Sequence, residues 1–224
     1  MNEAPGPRPL GILGGTFDPV HYGHLRLAEE ARAALDLERI LWLPAGQPPH
    51  RQAPAVSARH RLELVRLAIA DNPAFSLDDA EVQSAAPSYT VTSLARLRRL
   101  HGAQMPLVLL LGADAFAGLC SWHRWRELFA LTHLAVATRP GYALDPSLLP
   151  AALADELRLR LRTDAGSLAR AGAGSIVPFA ITSLDISATR IREALATAGS
   201  VRYLLPDPVL DYIAEHNLYH QASH

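Results

Sequence analysis

A short apolar run that stops at paired glycines and leads into a helical pattern is the feature that most constrains the fold. The run from Leu10 to Leu13 is followed by Gly14 and Gly15, which is typical of a buried strand that ends in a tight turn. After Pro19 the apolar residues recur at helical spacing, at positions 25, 28, 31 and 35. The pattern predicts a strand, a turn and a helix in this order.

The rest of the chain repeats this alternation. Strands are predicted at 10–13, 40–43, 75–77, 107–111, 134–137 and 175–179, and helices at 22–35, 57–70, 90–100, 125–131, 146–161, 188–198 and 208–216. Such alternation favours an α/β fold, a Rossmann-like parallel sheet with helices on both faces and a small C-terminal helical portion over about 185–224. With 224 residues, 49% of them apolar, a single domain over 1–224 is expected.

Two histidines, His21 and His24, fall three residues apart at the predicted start of the first helix. A helix N-terminus carries unpaired N–H groups and a positive dipole, which favour phosphate. Two imidazoles there could hold a phosphate chain and stabilise its charge. Metal ligation by the pair and a solvated helix start are the alternatives, and the sequence offers no third metal ligand close by.

Composition excludes several classes of protein. The chain has no lysine, which excludes a Walker-type P-loop and Schiff-base chemistry, and the first turn lacks the Gly-x-Gly-x-x-Gly of dehydrogenases. Cys120 is the only cysteine, so an intramolecular disulfide and a Cys-rich zinc site are excluded. The net charge of −1 does not favour a nucleic-acid or membrane partner. With no signal-peptide pattern and no membrane-length apolar run, a cytoplasmic enzyme is expected.

A second phosphate-binding pattern, Ile-Ser-Ala-Thr-Arg-Ile-Arg, opens the helix predicted at 188–198. Ser187, Thr189 and the backbone N–H groups can ligate phosphate oxygens, and Arg192 lies one turn further on. A serine N-cap with a solvated arginine is the alternative. The chemically suggestive segments each follow a predicted strand, at 14–24, 44–51, 112–114 and 181–192. Because open parallel sheets bind ligands beyond the C-terminal ends of their strands, these segments are expected to share one site.

The string Gly-Gly-Thr-Phe-Asp-Pro-Val-His-Tyr-Gly-His at 14–24 resembles the first signature of the His-x-Gly-His nucleotidyltransferase superfamily. The pattern Ile-Ser-x-Thr-x-x-Arg is its second signature. The chain is most similar to the bacterial nicotinate-mononucleotide adenylyltransferases, from about Leu10 to Tyr219. This resemblance implies transfer of AMP from ATP, accompanied by Mg²⁺, to nicotinate mononucleotide. The products are nicotinate adenine dinucleotide and pyrophosphate, in NAD biosynthesis.

The resemblance also implies roles for particular residues. Catalytic roles fall on His21, His24 and Arg192. ATP binding is implied for these three and for Gly14, Gly15, Thr16, Phe17, Gly112, Asp114, Ser187 and Thr189. Contact with nicotinate mononucleotide is implied for Gly15, His50, Arg51, Tyr89, Thr90, Trp122, His123 and Arg139. No protein ligand to the metal is implied.

Other functions stay open at this point. The acceptor could be nicotinamide mononucleotide or 4′-phosphopantetheine, although the relatives that use phosphopantetheine are shorter and usually have Thr where His21 stands. A non-catalytic nucleotide-binding regulatory protein could keep the same fold, although intact His21, His24 and Arg192 argue against that interpretation. The sequence leaves the oligomeric state undetermined.

Overall fold

The computed structural model describes residues 7–49, 53–139, 141 and 143–220. Within them lie six strands: β1 (Leu10–Gly15), β2 (Arg39–Pro44), β3 (Phe75–Leu77), β4 (Leu107–Gly112), β5 (His133–Thr138) and β6 (Ile176–Ala180). The α-helices of the same residues are α1 (Tyr22–Ala34), α2 (Ala58–Ile69), α3 (Ala80–Gln83), α4 (Thr90–His101), α5 (Ala113–Ala117), α6 (Leu128–Leu131), α7 (Ala151–Arg160), α8 (Ala188–Ala196) and α9 (Asp207–Glu215). Short 3₁₀ helices are formed by Leu119–Ser121, Trp125–Glu127, Pro146–Leu148 and Ala165–Arg170.

The strands form one sheet in the order β3-β2-β1-β4-β5-β6. β1 pairs in parallel with β4, with Leu10 opposite Leu107, and the pairs β4–β5 and β5–β6 are also parallel. This order is that of a doubly wound nucleotide-binding sheet. The predicted α/β, Rossmann-like class is confirmed.

Apolar runs form the central strands because both faces of a parallel sheet are covered by helices. All six residues of β5 are buried, and so are the first five of β4. The helices begin and end at recognisable signals. The Ser57 hydroxyl oxygen accepts the N–H of His60 at the start of α2, and α4 ends at Gly102, whose φ is 79°.

Some predicted elements have different boundaries. The helix predicted at 146–161 is a 3₁₀ turn followed by α7, because Pro150 keeps the preceding Leu149 extended. The helix predicted at 208–216 begins one residue earlier, at Asp207, and Pro206 occupies its cap position. The helix predicted at 125–131 is a 3₁₀ turn followed by α6, and α5 was not predicted.

The described residues fall into two compact units. The first unit comprises those within 1–13, 28–41 and 89–182, and the second those within 14–27, 42–88 and 183–224. The predicted single domain over 1–224 stays a prediction. In the part of the chain that the structure describes, no helix is long and apolar enough to cross a membrane.

Candidate functional site

His21 and His24 stack on one another in the second unit, at the start of α1. Their ring centroids are 3.7 Å apart and their planes differ by 27°. The backbone N–H of His21 donates to Nδ1 of His24 over 3.3 Å. Because Nδ1 of His24 accepts this bond, the neutral ring carries its proton on Nε2. His24 is therefore held in one tautomer, with a fixed N–H donor.

The turn before α1 places both rings. Phe17 has a left-handed backbone, with φ of 50°, and its buried ring packs edge-on against His24 at 5.1 Å between centroids. Gly23 provides the space for the other ring, because a Cβ added there would lie 3.0 Å from both Cε1 and Nδ1 of His21. The ATP contact expected of Phe17 stays a prediction, since the whole residue is 2% exposed in the ligand-free protein.

Burial makes both imidazoles hard to protonate. Loss of solvent lowers the pKa of His21 to about 4. Loss of solvent and the neighbouring His21 together lower the pKa of His24 well below its usual value. Nδ1 of His21 is buried without a hydrogen-bond partner among the described residues. In the ligand-free protein at neutral pH, the pair is therefore uncharged.

Acidification is expected to destabilise the ligand-free protein as the pH falls from about 6.5 to about 4. Unfolded His21 binds its proton near its ordinary pKa of 6.5, whereas folded His21 resists protonation until about pH 4. Protons therefore favour the unfolded chain in this window. His21 alone should lower the free energy of unfolding by about 2 kcal/mol between about pH 8 and pH 5, which urea titrations would measure.

The variant His21→Gln is the matched control for this pH effect. It removes the titrating group, so its stability should fall about 2 kcal/mol less over the same pH range. A remaining decline is expected from His24 and from His133, a buried β5 residue whose pKa burial also lowers. Equal declines in the two proteins would contradict the assignment to His21.

The second phosphate-binding motif meets the histidine turn inside the second unit. Arg192 of α8 donates from Nη1 to the backbone carbonyl of Asp18 over 2.7 Å, across 174 residues of sequence. A Cβ on Gly23 would lie 3.7 Å from the carbonyl oxygen of Ile186. The hydroxyl oxygen of Ser187 accepts the N–H of Arg190, so Ser187 is the N-cap of α8. The two motifs thus form one site.

A buried arginine that the sequence reasoning missed supports this turn from beneath. Arg61 of α2 is 1% exposed, and its Nη1 donates to the carbonyls of Thr16 at 2.7 Å and Ala45 at 2.6 Å. Its Nη2 donates to the carbonyl of Gly46 at 2.9 Å. One guanidinium therefore fixes the residues that follow β1 and β2. The available signal was its spacing, because Arg61 lies on the buried face of α2 with Leu64.

Asp18 is the second residue whose importance the sequence did not reveal. Its carboxylate is buried, and accepts the N–H of Ala55 at 2.7 Å and the hydroxyl of Tyr219 at 2.8 Å. In the sequence, Asp18 is only one residue of the first motif, with no role indicated for it. No pattern in the sequence points to Tyr219.

The first unit contains the predicted site residues between Tyr89 and Arg139, whereas Gly14 and Gly15 belong to the second. Gly112 ends β4 and a Cβ there would meet no atom within 4 Å, while Asp114 is exposed in the first turn of α5. Tyr89 precedes α4, and its ring lies 4.3 Å from that of His123. Arg139 is exposed just after β5.

Four further predicted positions complete this survey. Thr90 is the first residue of α4. Trp122 is half-buried, whereas Trp125 is buried at 8% exposure. His50 and Arg51 lie outside the described residues. Among the residues that the structure does describe, no group of three His, Cys, Asp or Glu side chains is placed to hold a metal ion.

Comparison with known proteins agrees with this geometry. Residues 12–194 match the cytidylyltransferase-like family. A "Probable nicotinate-nucleotide adenylyltransferase" of Dechloromonas aromatica is 60% identical over 96% of this chain and 99% of the relative. The protein of the same name from Halorhodospira halophila is 48% identical over 95% of each chain.

A solved structure shares the fold. The nicotinic acid mononucleotide adenylyltransferase of Plasmodium falciparum, complexed with NaAD, superposes with a TM-score of 0.72 over 95% of this chain and 97% of that one. At 19% sequence identity, that likeness concerns the fold alone. The sequence matches confirm the resemblance given by the two motifs. The chain therefore belongs to the cytidylyltransferase-like family, among the nicotinate-nucleotide adenylyltransferases.

Proposed function

We propose that this protein transfers AMP from ATP to nicotinate mononucleotide and releases pyrophosphate. The observation that carries the proposal is the hydrogen bond from Arg192 to the Asp18 carbonyl. It joins two phosphate-binding motifs, far apart in the sequence, beside a stacked histidine pair. The names of the relatives supply the acceptor and the product.

The reaction is an in-line displacement at the α-phosphorus of ATP. A phosphate oxygen of the mononucleotide forms a bond to the α-phosphorus. The bond between the α-phosphorus and the oxygen that bridges it to the β-phosphorus breaks, and pyrophosphate leaves. The attacking phosphate is already a nucleophile, so the reaction needs no general base. Catalysis then consists of positioning and stabilisation of developing charge.

The histidines act first as hydrogen-bond donors. His24 is neutral in the free protein and presents a fixed Nε2–H to a phosphate oxygen. Anionic phosphates nearby would favour the protonated imidazoles, so ATP binding would raise both depressed pKa values. Ser187, Thr189 and Arg192 hold the leaving pyrophosphate, with the N-terminus of α8 contributing its N–H groups.

Mg²⁺ enters this scheme on the substrate. Imidazole nitrogens suit Mg²⁺ poorly, whereas phosphate oxygens and water suit it well. The imidazole nitrogens of His21 and His24 are therefore suited to phosphate rather than to Mg²⁺. The phosphate oxygens of ATP and water would hold the metal. When bound to the phosphates of ATP, Mg²⁺ would neutralise part of their charge. The reaction needs neither a nucleic-acid nor a membrane partner.

Residues of the first unit are proposed to recognise the acceptor. The ring pair of Tyr89 and His123, tilted by 33°, and the half-buried Trp122 offer aromatic faces of the kind that bind a pyridine ring. A carboxylate suits the N-terminus of α4 at Thr90 and the exposed guanidinium of Arg139. An acidic pyridine nucleotide fits these groups better than the neutral amide.

Turnover with the two pyridine mononucleotides is expected to favour the acid. The kcat/KM for nicotinate mononucleotide should exceed that for nicotinamide mononucleotide by at least about tenfold, the value of one charge-assisted hydrogen bond. The measurement is pyrophosphate release with MgATP at saturation and each acceptor varied. A preference for the amide or for 4′-phosphopantetheine would overturn the acceptor, and no release with any of the three would overturn the activity.

A further inference from the structure

The carboxylate of Asp18 accepts two buried hydrogen bonds next to the candidate site. Asp18 is 7% exposed, and its Oδ1 and Oδ2 take hydrogen bonds from Tyr219 and from the N–H of Ala55. A buried carboxylate is stable only where its oxygens have donors. Both donors are far from Asp18 in the sequence, so its orientation depends on the folded chain as a whole.

The backbone of the same residue anchors Arg192. The Asp18 carbonyl accepts Nη1 of Arg192 at 2.7 Å, while Nη2 of Arg192 is 3.4 Å from the hydroxyl oxygen of Thr189. The first of these contacts is the shorter and stronger. The carboxylate and the carbonyl belong to one residue, so the hydrogen bonds from Ala55 and Tyr219 hold the piece of chain to which Arg192 donates.

The segment after α9 carries Tyr219 to Asp18 through unusual backbone geometry. Asn217 and Tyr219 are both left-handed, with φ of 49° and 66°. The N–H of Leu218 donates to the carbonyl of Ile213 and closes the end of α9. Conformations of this kind persist where the surrounding structure imposes them, and they cluster near functional sites.

The Tyr219 hydroxyl is a permanent donor in this network. Burial and the adjacent carboxylate of Asp18 raise the pKa of Tyr219 far above its usual value. The hydroxyl therefore keeps its proton at neutral pH. Arg61 and Arg192 lie close enough to oppose this shift, which places both guanidinium groups around the same pair.

We propose that Tyr219 is a positioning residue of the adenylyl-transfer site. Its hydroxyl orients Asp18, and Asp18 directs Arg192 toward the triphosphate of ATP. This inference rests on the proposed function, and it extends the site to the last described turn of the chain.

The variant Tyr219→Phe of the full chain tests the proposal, because it removes only the hydroxyl. The kcat/KM for ATP is expected to fall about tenfold, the effect of losing one hydrogen bond to a charged group. The KM for nicotinate mononucleotide should stay within about twofold. A purely structural role would not separate the two substrates.

Tyr212→Phe is the matched control. Tyr212 lies on α9, and its hydroxyl also has a side-chain partner, Nδ1 of His60 at 3.0 Å. Its loss removes a comparable hydrogen bond from the same end of the chain without touching Asp18, so the ATP kinetics should equal those of wild type. Identical ATP kinetics in Tyr219→Phe and Tyr212→Phe would overturn the proposal.

A double-mutant cycle tests the route through Arg192. Because Tyr219 is proposed to act through that guanidinium, Tyr219→Phe should have no further effect on kcat/KM for ATP in an Arg192→Ala background. If the fold-losses in kcat/KM for ATP of the two single variants multiply in the double variant, Tyr219 does not act through Arg192.

Binding of a non-hydrolysable ATP analogue keeps the test independent of the acceptor. Its Kd should rise in Tyr219→Phe and stay unchanged in Tyr212→Phe. Wild-type protein that binds the analogue but releases no pyrophosphate would overturn the proposed function alone. Equal Kd values in the two variants would overturn the role of Tyr219.

Discussion

Replacement of His24 by alanine is expected to lower kcat by about 10²–10³-fold, the effect of losing one preorganised donor to a transition state. The donor is preorganised because Nδ1 of His24 accepts the N–H of His21, which leaves the proton on Nε2. The stacked His21 and the edge-on Phe17 hold the ring in place. Since the stabilised charge develops during the reaction, the KM for ATP should change much less than kcat.

Two conservative variants separate the nitrogens of His24. Glutamine can place an amide N–H near the position of Nε2, so His24→Gln should recover part of kcat. Asparagine can place a carbonyl oxygen near Nδ1, so His24→Asn should recover stability rather than turnover. His101→Ala, at the end of α4, serves as the control for loss of an imidazole. Near-normal kcat in a folded His24→Ala protein would remove His24 from the mechanism.

Much of the fold could be predicted because its signals are local. The apolar runs of β4 and β5 and the helical spacing of α2 depend on neighbouring residues only. Five-residue α5 escaped prediction because it is too short to show a helical period. The break before α7 depends on a single residue, Pro150, inside an otherwise helical pattern, and the predicted helix at 146–161 ignored it.

In the candidate site too, residues in local sequence motifs could be predicted, whereas residues that act through long-range contacts could not. His21, His24 and Ser187 stand at helix starts, where short motifs carry most of the information. Arg61 and Tyr219 act through contacts that only the folded chain creates, with Thr16 and Asp18 respectively. Sequence spacing could place a cation on a buried helix face, but it could not say which carbonyls that cation would meet.

Arg61→Met is expected to reduce the free energy of unfolding by about 3–5 kcal/mol. Methionine fills part of the volume but leaves the carbonyls of Thr16, Ala45 and Gly46 without their donor. At roughly 2–4 °C per kcal/mol for a chain of this size, the Tm should fall by about 6–20 °C. Urea titration and thermal unfolding at neutral pH measure the two quantities.

Arg66→Met is the matched control because Arg66 lies on the same helix but faces solvent. Its ion pair with Glu63 is exposed, and such pairs contribute about 0–1 kcal/mol, so the loss should stay below about 1 kcal/mol. Arg61→Lys should restore the charge without the planar fork that reaches three carbonyls, and should therefore recover little stability. If Arg61→Met and Arg66→Met lose the same free energy of unfolding, the buried guanidinium does not stabilise the residues that follow β1 and β2. Full recovery by lysine would mean that charge, rather than the directed hydrogen bonds, stabilises them.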